Sequence, residues 1–297
     1  MQHLKDKIKQ AFEKAKDDKI FDRAVVGVVL PNGTSFNTAF NTTEDSVFDI
    51  ASLTKVCPTS TLALHFILRG DLSLETPVAS FIPELKTNYR EGIQVKHLLT
   101  HTLDYRVPMS SLKHLPPQEI LDYLFSYQFD LAPGTAFNYG NPASILLGIL
   151  LQRLTGQTLA ALGESLFFKP LGMSRSGWEP LSRIPVEDIV PTEVCSFRNQ
   201  ALQGIVHDES AFVLQTLFPV GSAGMFSTVP DLMRFVTMLL QDGVFQGQRV
   251  LDKGILNLVS KNALEPSVKG QTALGWELNN PLFMGTQCSS STFGKTG

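Results

Sequence analysis

The sequence predicts an α/β fold of the α+β kind, with an antiparallel sheet flanked by helices and joined to an all-α lobe. Three observations predict it. Ala24 to Leu30 and Ser35 to Phe40 are β-rich runs on either side of Pro31-Asn32-Gly33, a hairpin signal. Residues 57 to 215 then carry helical patterning broken by long loops. Segments of β character return at Thr272 to Leu278 and near Ser289 to Thr296. The α/β lobe is therefore expected at residues 1–56 and 216–297, split in sequence around a mainly helical lobe at 57–215, with a site between the two.

Each element has a local cause. Leu4, Ile8, Phe12 and Ala15 form one apolar stripe of a first helix, which is expected to pack on the sheet. Ser52-Leu53-Thr54-Lys55 opens an apolar, helix-compatible run, but Pro58 would remove an interior helical bond. A tight first turn carrying Ser52 and Lys55 is expected, followed by a helix to about Arg69 with Gly70 as its stop and Leu62, Ala63, Phe66 and Ile67 in the core. Asn141-Pro142 reads as the N-cap and first-turn pair of an apolar helix from Ala143 to Leu154, ending at Gly156. Thr228-Val229-Pro230-Asp231 caps a helix from Leu232 to Leu240.

Composition narrows the function classes. At 297 residues and 43% hydrophobic the chain can bury a large core, and a net charge of -3 supplies no basic patch for nucleic acid. The three cysteines, Cys57, Cys195 and Cys288, are too widely spaced and odd in number for a disulfide framework, and Cys57 reads as a small core residue. Ile145 to Leu151 is the longest apolar stretch, so no transmembrane segment is expected. Met1 to Ile20 lacks an apolar signal region, which makes cytoplasm the literal reading, and periplasm or the extracellular space if a leader has been removed.

The chemistry is concentrated in three places. Serine and lysine three apart in a first turn share a face, so the Lys55 amine can reach the Ser52 hydroxyl as base to nucleophile. An ordinary lysine, with a pKa of about 10.4, is protonated at neutral pH, so Lys55 must be depressed. Burial and a second cation, Lys295, would do this. Backbone N–H groups at the start of the turn suit an oxyanion. Ser110 and Lys113 repeat the spacing, but in a loop broken by Pro116-Pro117, where no catalytic site is expected. Tyr139 and Asn141 lie on the loop entering a helix, where a phenol can relay a proton and an amide can hold a substrate carbonyl or the lysine. His97 and His101 are four apart on an expected helix, yet no third ligand accompanies them, so neither a metal site nor a cofactor is expected. His207-Asp208-Glu209 reads as a solvated loop, with a place lining the cleft as the alternative.

Together these residues resemble the serine β-lactamase and penicillin-binding-protein superfamily, in its class C β-lactamase, D-alanyl-D-alanine carboxypeptidase and esterase branch. The likeness runs from about Val47 to Gly297, through Phe48-Asp49-Ile50-Ala51-Ser52-Leu53-Thr54-Lys55, Gly70-Asp71-Leu72, Leu98-Leu99-Thr100-His101-Thr102, Phe137-Asn138-Tyr139-Gly140-Asn141, Gly224-Met225-Phe226-Ser227-Thr228 and Phe293-Gly294-Lys295-Thr296-Gly297. The resemblance implies a β-lactamase-like fold in which Ser52 is acylated, Lys55 is its base and Tyr139 relays protons and activates the deacylating water. It implies that Asn141, Lys295, Thr296 and Gly297 bind a small-molecule or peptide substrate. The expected function is a serine hydrolase acting through an acyl-enzyme on an amide, ester or β-lactam. The alternative is a penicillin-recognising binding protein with impaired catalysis.

Two departures from the family pattern carry expectations. His101-Thr102-Leu103-Asp104 replaces His-Thr-Ser-Gly, so the cleft wall there should differ. Many esterase-like relatives have histidine or tryptophan where this chain has Lys295, and the lysine suggests a substrate carboxylate. In the family the Lys-Thr-Gly strand also continues to further strands. The C-terminal strands are expected to be missing here, with no direct pairing between residues 24–40 and 289–297.

Overall fold

The structure, a computed structural model, describes residues 2–30 and 33–297. Strands β1 (Ala24–Val29) and β2 (Ser35–Phe40) pair antiparallel, with Ala24 opposite Phe40 and Val29 opposite Ser35. Pro31 and Asn32 of the hairpin signal lie outside the described residues. Side chains alternate across a strand, so this hairpin has two faces to cover. Helix α1 (Gln2–Asp17) covers one: Phe12 is buried and stacks on Phe40 with ring centroids 4.3 Å apart, while the Lys5 ammonium lies over Phe36. The helix Val229–Leu240 lies on the other, where Gly27 abuts Val229 and Met233. The apolar stripe of α1 thus packs on the sheet as expected. Thr228 accepts a hydrogen bond from the Asp231 N–H, the predicted cap.

Strand β3 (Phe48–Asp49) pairs antiparallel with Phe226–Ser227, and Glu277–Leu278 pairs antiparallel with Phe293–Gly294. Among the described residues the strands form five separate two-stranded ladders, and the 24–40 hairpin does not pair with the Phe293–Gly294 strand. The remaining two ladders join Val194–Cys195 to Gln200–Ala201 and Val244–Phe245 to Gln248–Arg249.

After β3 the chain makes a 3₁₀ turn at Ala51–Lys55, and the extended backbone of Cys57 (φ −116°, ψ 99°) breaks the helical path before α2 (Thr61–Arg69). Gly70, left-handed at φ 80°, ends α2. The tight turn, the break at proline and the glycine stop all follow the local signals. Helices α3 (Val95–Leu99), α4 (Pro117–Ser126) and α5 (Asn141–Thr155) follow. Residues 142–151 of α5 are buried without interruption, which is why its sequence is apolar on every side. Among the described residues no single helix is long and apolar enough to cross a membrane.

One glycine decides how closely the core closes around the turn. A Cβ on Gly221 would sit 2.4 Å from the Ser144 carbonyl oxygen of α5 and 3.0 Å from Thr59, so only glycine lets the 221–225 segment approach. Gly221→Ala is expected to destabilise the protein by about 1–3 kcal/mol, as overpacking does. A lowered midpoint in thermal or urea unfolding checks this.

Candidate active site

Ser52 sits in the 3₁₀ turn directly after Ala51, whose backbone is left-handed at φ 44° although it carries a Cβ. Such a conformation persists only where its surroundings hold it. Asp49 supplies that hold, accepting hydrogen bonds from the Ala51 N–H at 2.8 Å and from the His207 N–H at 2.7 Å. Burial raises the pKa of Asp49, opposed by those two bonds. The turn is fixed further by Thr54, whose hydroxyl accepts from the Met225 N–H, and by the Ile50 N–H, which donates to the Met225 carbonyl.

Lys55 is fully buried, and its Nζ lies 2.8 Å from each of three oxygens: Ser52 Oγ, Asn141 Oδ1 and the Ser222 carbonyl. Burial lowers its pKa, with Lys295 adding to the shift, while Tyr139 and Asp208 oppose it. The three partners are not equivalent. A carbonyl oxygen can only accept, so Ser222 takes one N–H. The Asn141 amide is oriented from behind, its Nδ2 donating to Asp208 Oδ2 at 2.8 Å and to Ser210 Oγ at 3.2 Å, which turns Oδ1 toward the lysine. A neutral amine has two N–H groups and one lone pair. In that neutral form, with both N–H groups engaged by Asn141 and Ser222, the lone pair would face the Ser52 hydroxyl.

Asn141 was expected to cap α5. Instead Gly140 holds the cap position, and the Asn141 side chain is committed to Lys55 and Asp208, whose distant partners outcompete a local cap. The solvated reading of residues 207–209 is likewise corrected for Asp208, which lines a cavity of about 400 Å³ with Tyr139 and Asn141. Asp208 Oδ1 also accepts from the Ala211 N–H and caps the helix Glu209–Leu214. Asp208→Asn keeps that cap but sets an amide N–H₂ against the Asn141 amide nitrogen. The expected result is a tenfold to hundredfold slower acylation, from about 1–3 kcal/mol of lost hydrogen bonding, with only a small change in melting temperature. Stopped-flow acylation alongside thermal unfolding checks it.

Tyr139 lies between two cations, its ring centroid 5.3 Å from Lys55 Nζ and 3.9 Å from Lys295 Nζ. Burial pushes the phenol pKa up, but Lys55 and Lys295, together with hydrogen bonds to Ser52 and Lys295, bring it below its ordinary value. Behind Tyr139, at 4.9 Å between ring centroids, lies His101. Burial, with help from Lys55 and Lys295, pushes His101 down to about 3, so it is a neutral ring against the phenol. His101 is not on a helix with His97: α3 ends at Leu99, and His101 turns left-handed at φ 53°. His97 instead accepts from the Gln94 N–H at the start of α3. Among the described residues no group of histidine, cysteine or acidic side chains could hold a metal ion.

The Lys295 ammonium is almost wholly enclosed and pairs with Glu277 Oε1 at 2.8 Å. Thr296 and Gly297 are exposed, and a Cβ on Gly297 would lie 2.3 Å from the Ile50 carbonyl oxygen, so this segment rests directly on the Ser52 turn. The structure therefore brings Ser52, Lys55, Tyr139, Asn141 and Lys295 together. Ser110 borders the 400 Å³ cavity, but Lys113 turns away to pair with Glu209 at 2.5 Å. Asp49, Ser222 and Glu277 join the site without having been singled out for it in the sequence, and Asp208 joins it by the alternative read for residues 207–209.

This chain is 26% identical over 283 residues to the N-acetylmuramyl-L-alanine amidase of Bacillus subtilis (strain 168), a match covering 85% of this chain and 63% of that protein. It is 30% identical over 242 residues to Esterase EstB of Burkholderia gladioli, covering 70% of this chain and 61% of that one. It thus spans less than two thirds of the length of these relatives. The solved structure of EstCE1, described as a hydrolase with promiscuous acyltransferase activity, has the same fold, with a TM-score of 0.76 at 18% identity over 98% of this chain and 87% of that one. The Beta-lactamase family profile matches residues 8–297, so the Ser52 turn, the Tyr139 loop and the Lys295 segment all fall within it, and the chain belongs to that family.

Proposed function

We propose that this chain is a serine hydrolase that works through an acyl-enzyme on an ester, amide or β-lactam. The observation that carries the reading is the buried Lys55 amine 2.8 Å from Ser52 Oγ, with its other two hydrogen-bonding directions taken by Asn141 and Ser222. Lys55 takes the Ser52 proton as Oγ attacks the acyl carbon, and the negative charge grows on the former carbonyl oxygen. The N–H of Ser52, near the start of the 3₁₀ turn, is placed to stabilise that charge. Tyr139, with its phenol beside both lysines, passes a proton to the leaving group. A water then gives a proton to Tyr139 and attacks the acyl carbon, the bond from that carbon to Ser52 Oγ breaks, and Lys55 returns its proton to Oγ. The names of the amidase and esterase relatives support an acyl-transfer chemistry. A binding role without catalysis would call for a broken nucleophile and base pair, and this pair is intact.

A side-by-side rate screen of p-nitrophenyl esters, nitrocefin and D-alanyl-D-alanine peptides tests the reading. Turnover of at least one class that depends on Ser52 supports it. Absence of turnover on all three, with no acyl adduct on Ser52, contradicts it.

A further inference from the structure

The residue that meets Lys295 is a carboxylate of the protein itself. Glu277 opposes Gly294 in the register of its strand, and from there its Oε1 reaches Lys295 Nζ at 2.8 Å. Its second oxygen accepts from Asn280 Nδ2 at 2.9 Å, so both oxygens are positioned. The Tyr139 ring covers another side of the ammonium at 3.9 Å. The Lys295 side chain is 3% exposed and the Glu277 side chain 23%. Glu277 also lines a cavity of about 550 Å³ together with Phe137, Gln271, Asn279 and Asn280, and it is the charged residue of that lining. On this side the lining presents Glu277, and Lys295 is not part of it.

We propose that Glu277 determines substrate class: by holding Lys295 in an internal ion pair, it makes the site select acyl donors that carry no carboxylate at this end. This rests on the serine hydrolase reading and deepens it. A substrate carboxylate could reach Lys295 only by displacing Glu277 or by sitting a few ångströms from it, with two anions sharing one ammonium. Repulsion at such distances in a partly enclosed site corresponds to roughly tenfold to hundredfold in rate or affinity. Lysine at this position therefore does not by itself make a carboxylate receptor.

The test compares kcat/KM for neutral p-nitrophenyl butyrate, for p-nitrophenyl hemiglutarate and for the butyryl ester of m-hydroxybenzoic acid. The last two place a carboxylate on the acyl side and on the leaving side. Wild type, Glu277→Gln and Glu277→Ala are measured at one pH and ionic strength. The expected result is that the rate for the better anionic ester, relative to the neutral one, rises at least about tenfold in Glu277→Gln, which keeps the shape of the side chain but removes its charge. A merely structural role would lower the active fraction for all three esters alike and leave that ratio in place. Hydrolysis by the wild type with a ratio unmoved in both variants overturns this inference alone. A wild type that hydrolyses none of the esters and takes up no fluorophosphonate on Ser52 overturns the hydrolase reading and this inference with it.

Discussion

Lys55→Arg is expected to lose acylation nearly as completely as Lys55→Ala, by about 10² to 10⁴. Arginine keeps the charge and the reach, but it does not release its proton in a protein. The geometry around Lys55 sharpens the expectation. Its three oxygen partners satisfy an ammonium, and two of them, the Ser222 carbonyl and the oriented Asn141 amide, equally satisfy the N–H groups of a neutral amine. Only the neutral form leaves a lone pair for the Ser52 hydroxyl. The sign of the pH dependence follows: the active form is deprotonated, so acylation rises with pH through the folded pKa of Lys55, which burial holds below the ordinary lysine value. Acylation rates of both variants and of the wild type across pH check this. An arginine variant that keeps most of the wild-type rate makes Lys55 an electrostatic partner and requires another base.

Ser52→Ala is expected to have the larger effect, a loss on the order of 10⁶ in turnover, because it removes the atom that bonds to the acyl group. Ser110→Ala is the matched control. It removes the serine of the other Ser-x-x-Lys copy, which borders the same 400 Å³ cavity but whose lysine is paired with Glu209. Turnover of any accepted substrate should survive the second substitution and vanish with the first. Unfolding curves of the two variants should match that of the wild type, since neither removes a large buried side chain.

What was legible in the sequence was local. Ser52 and Lys55 lie within one turn, so spacing alone sets their relation, and the proline break and glycine stop of α2 follow from backbone chemistry. Thr228 and Asp231 likewise fix a cap within one turn. Tyr139 and Asn141 came from the motif, and the lysine-holding role read for Asn141 is the one its Oδ1 makes; only the capping role fails, because asparagine before proline is also a good cap and the partner that orients it, Asp208, is 67 residues away. The Ser222 carbonyl could not be foreseen at all: it is a backbone group 167 residues from Lys55, and every residue has one. What marks its neighbourhood is Gly221, which signals close approach without saying to what. His101 was misplaced because a spacing of four suggests one helical face only while the helix lasts, and α3 ends two residues earlier. Glu277 meets Lys295 through the register of two short strands, which an apolar alternation of a few residues does not determine.

The central claim is that Ser52 is the nucleophile of an acyl-transfer site. Intact mass measured after exposure to a fluorophosphonate probe, followed by peptide mapping, tests it most directly. One adduct per chain, mapped to Ser52, lost in Ser52→Ala and retained in Ser110→Ala, is the predicted result. A stoichiometric adduct that survives Ser52→Ala would contradict it.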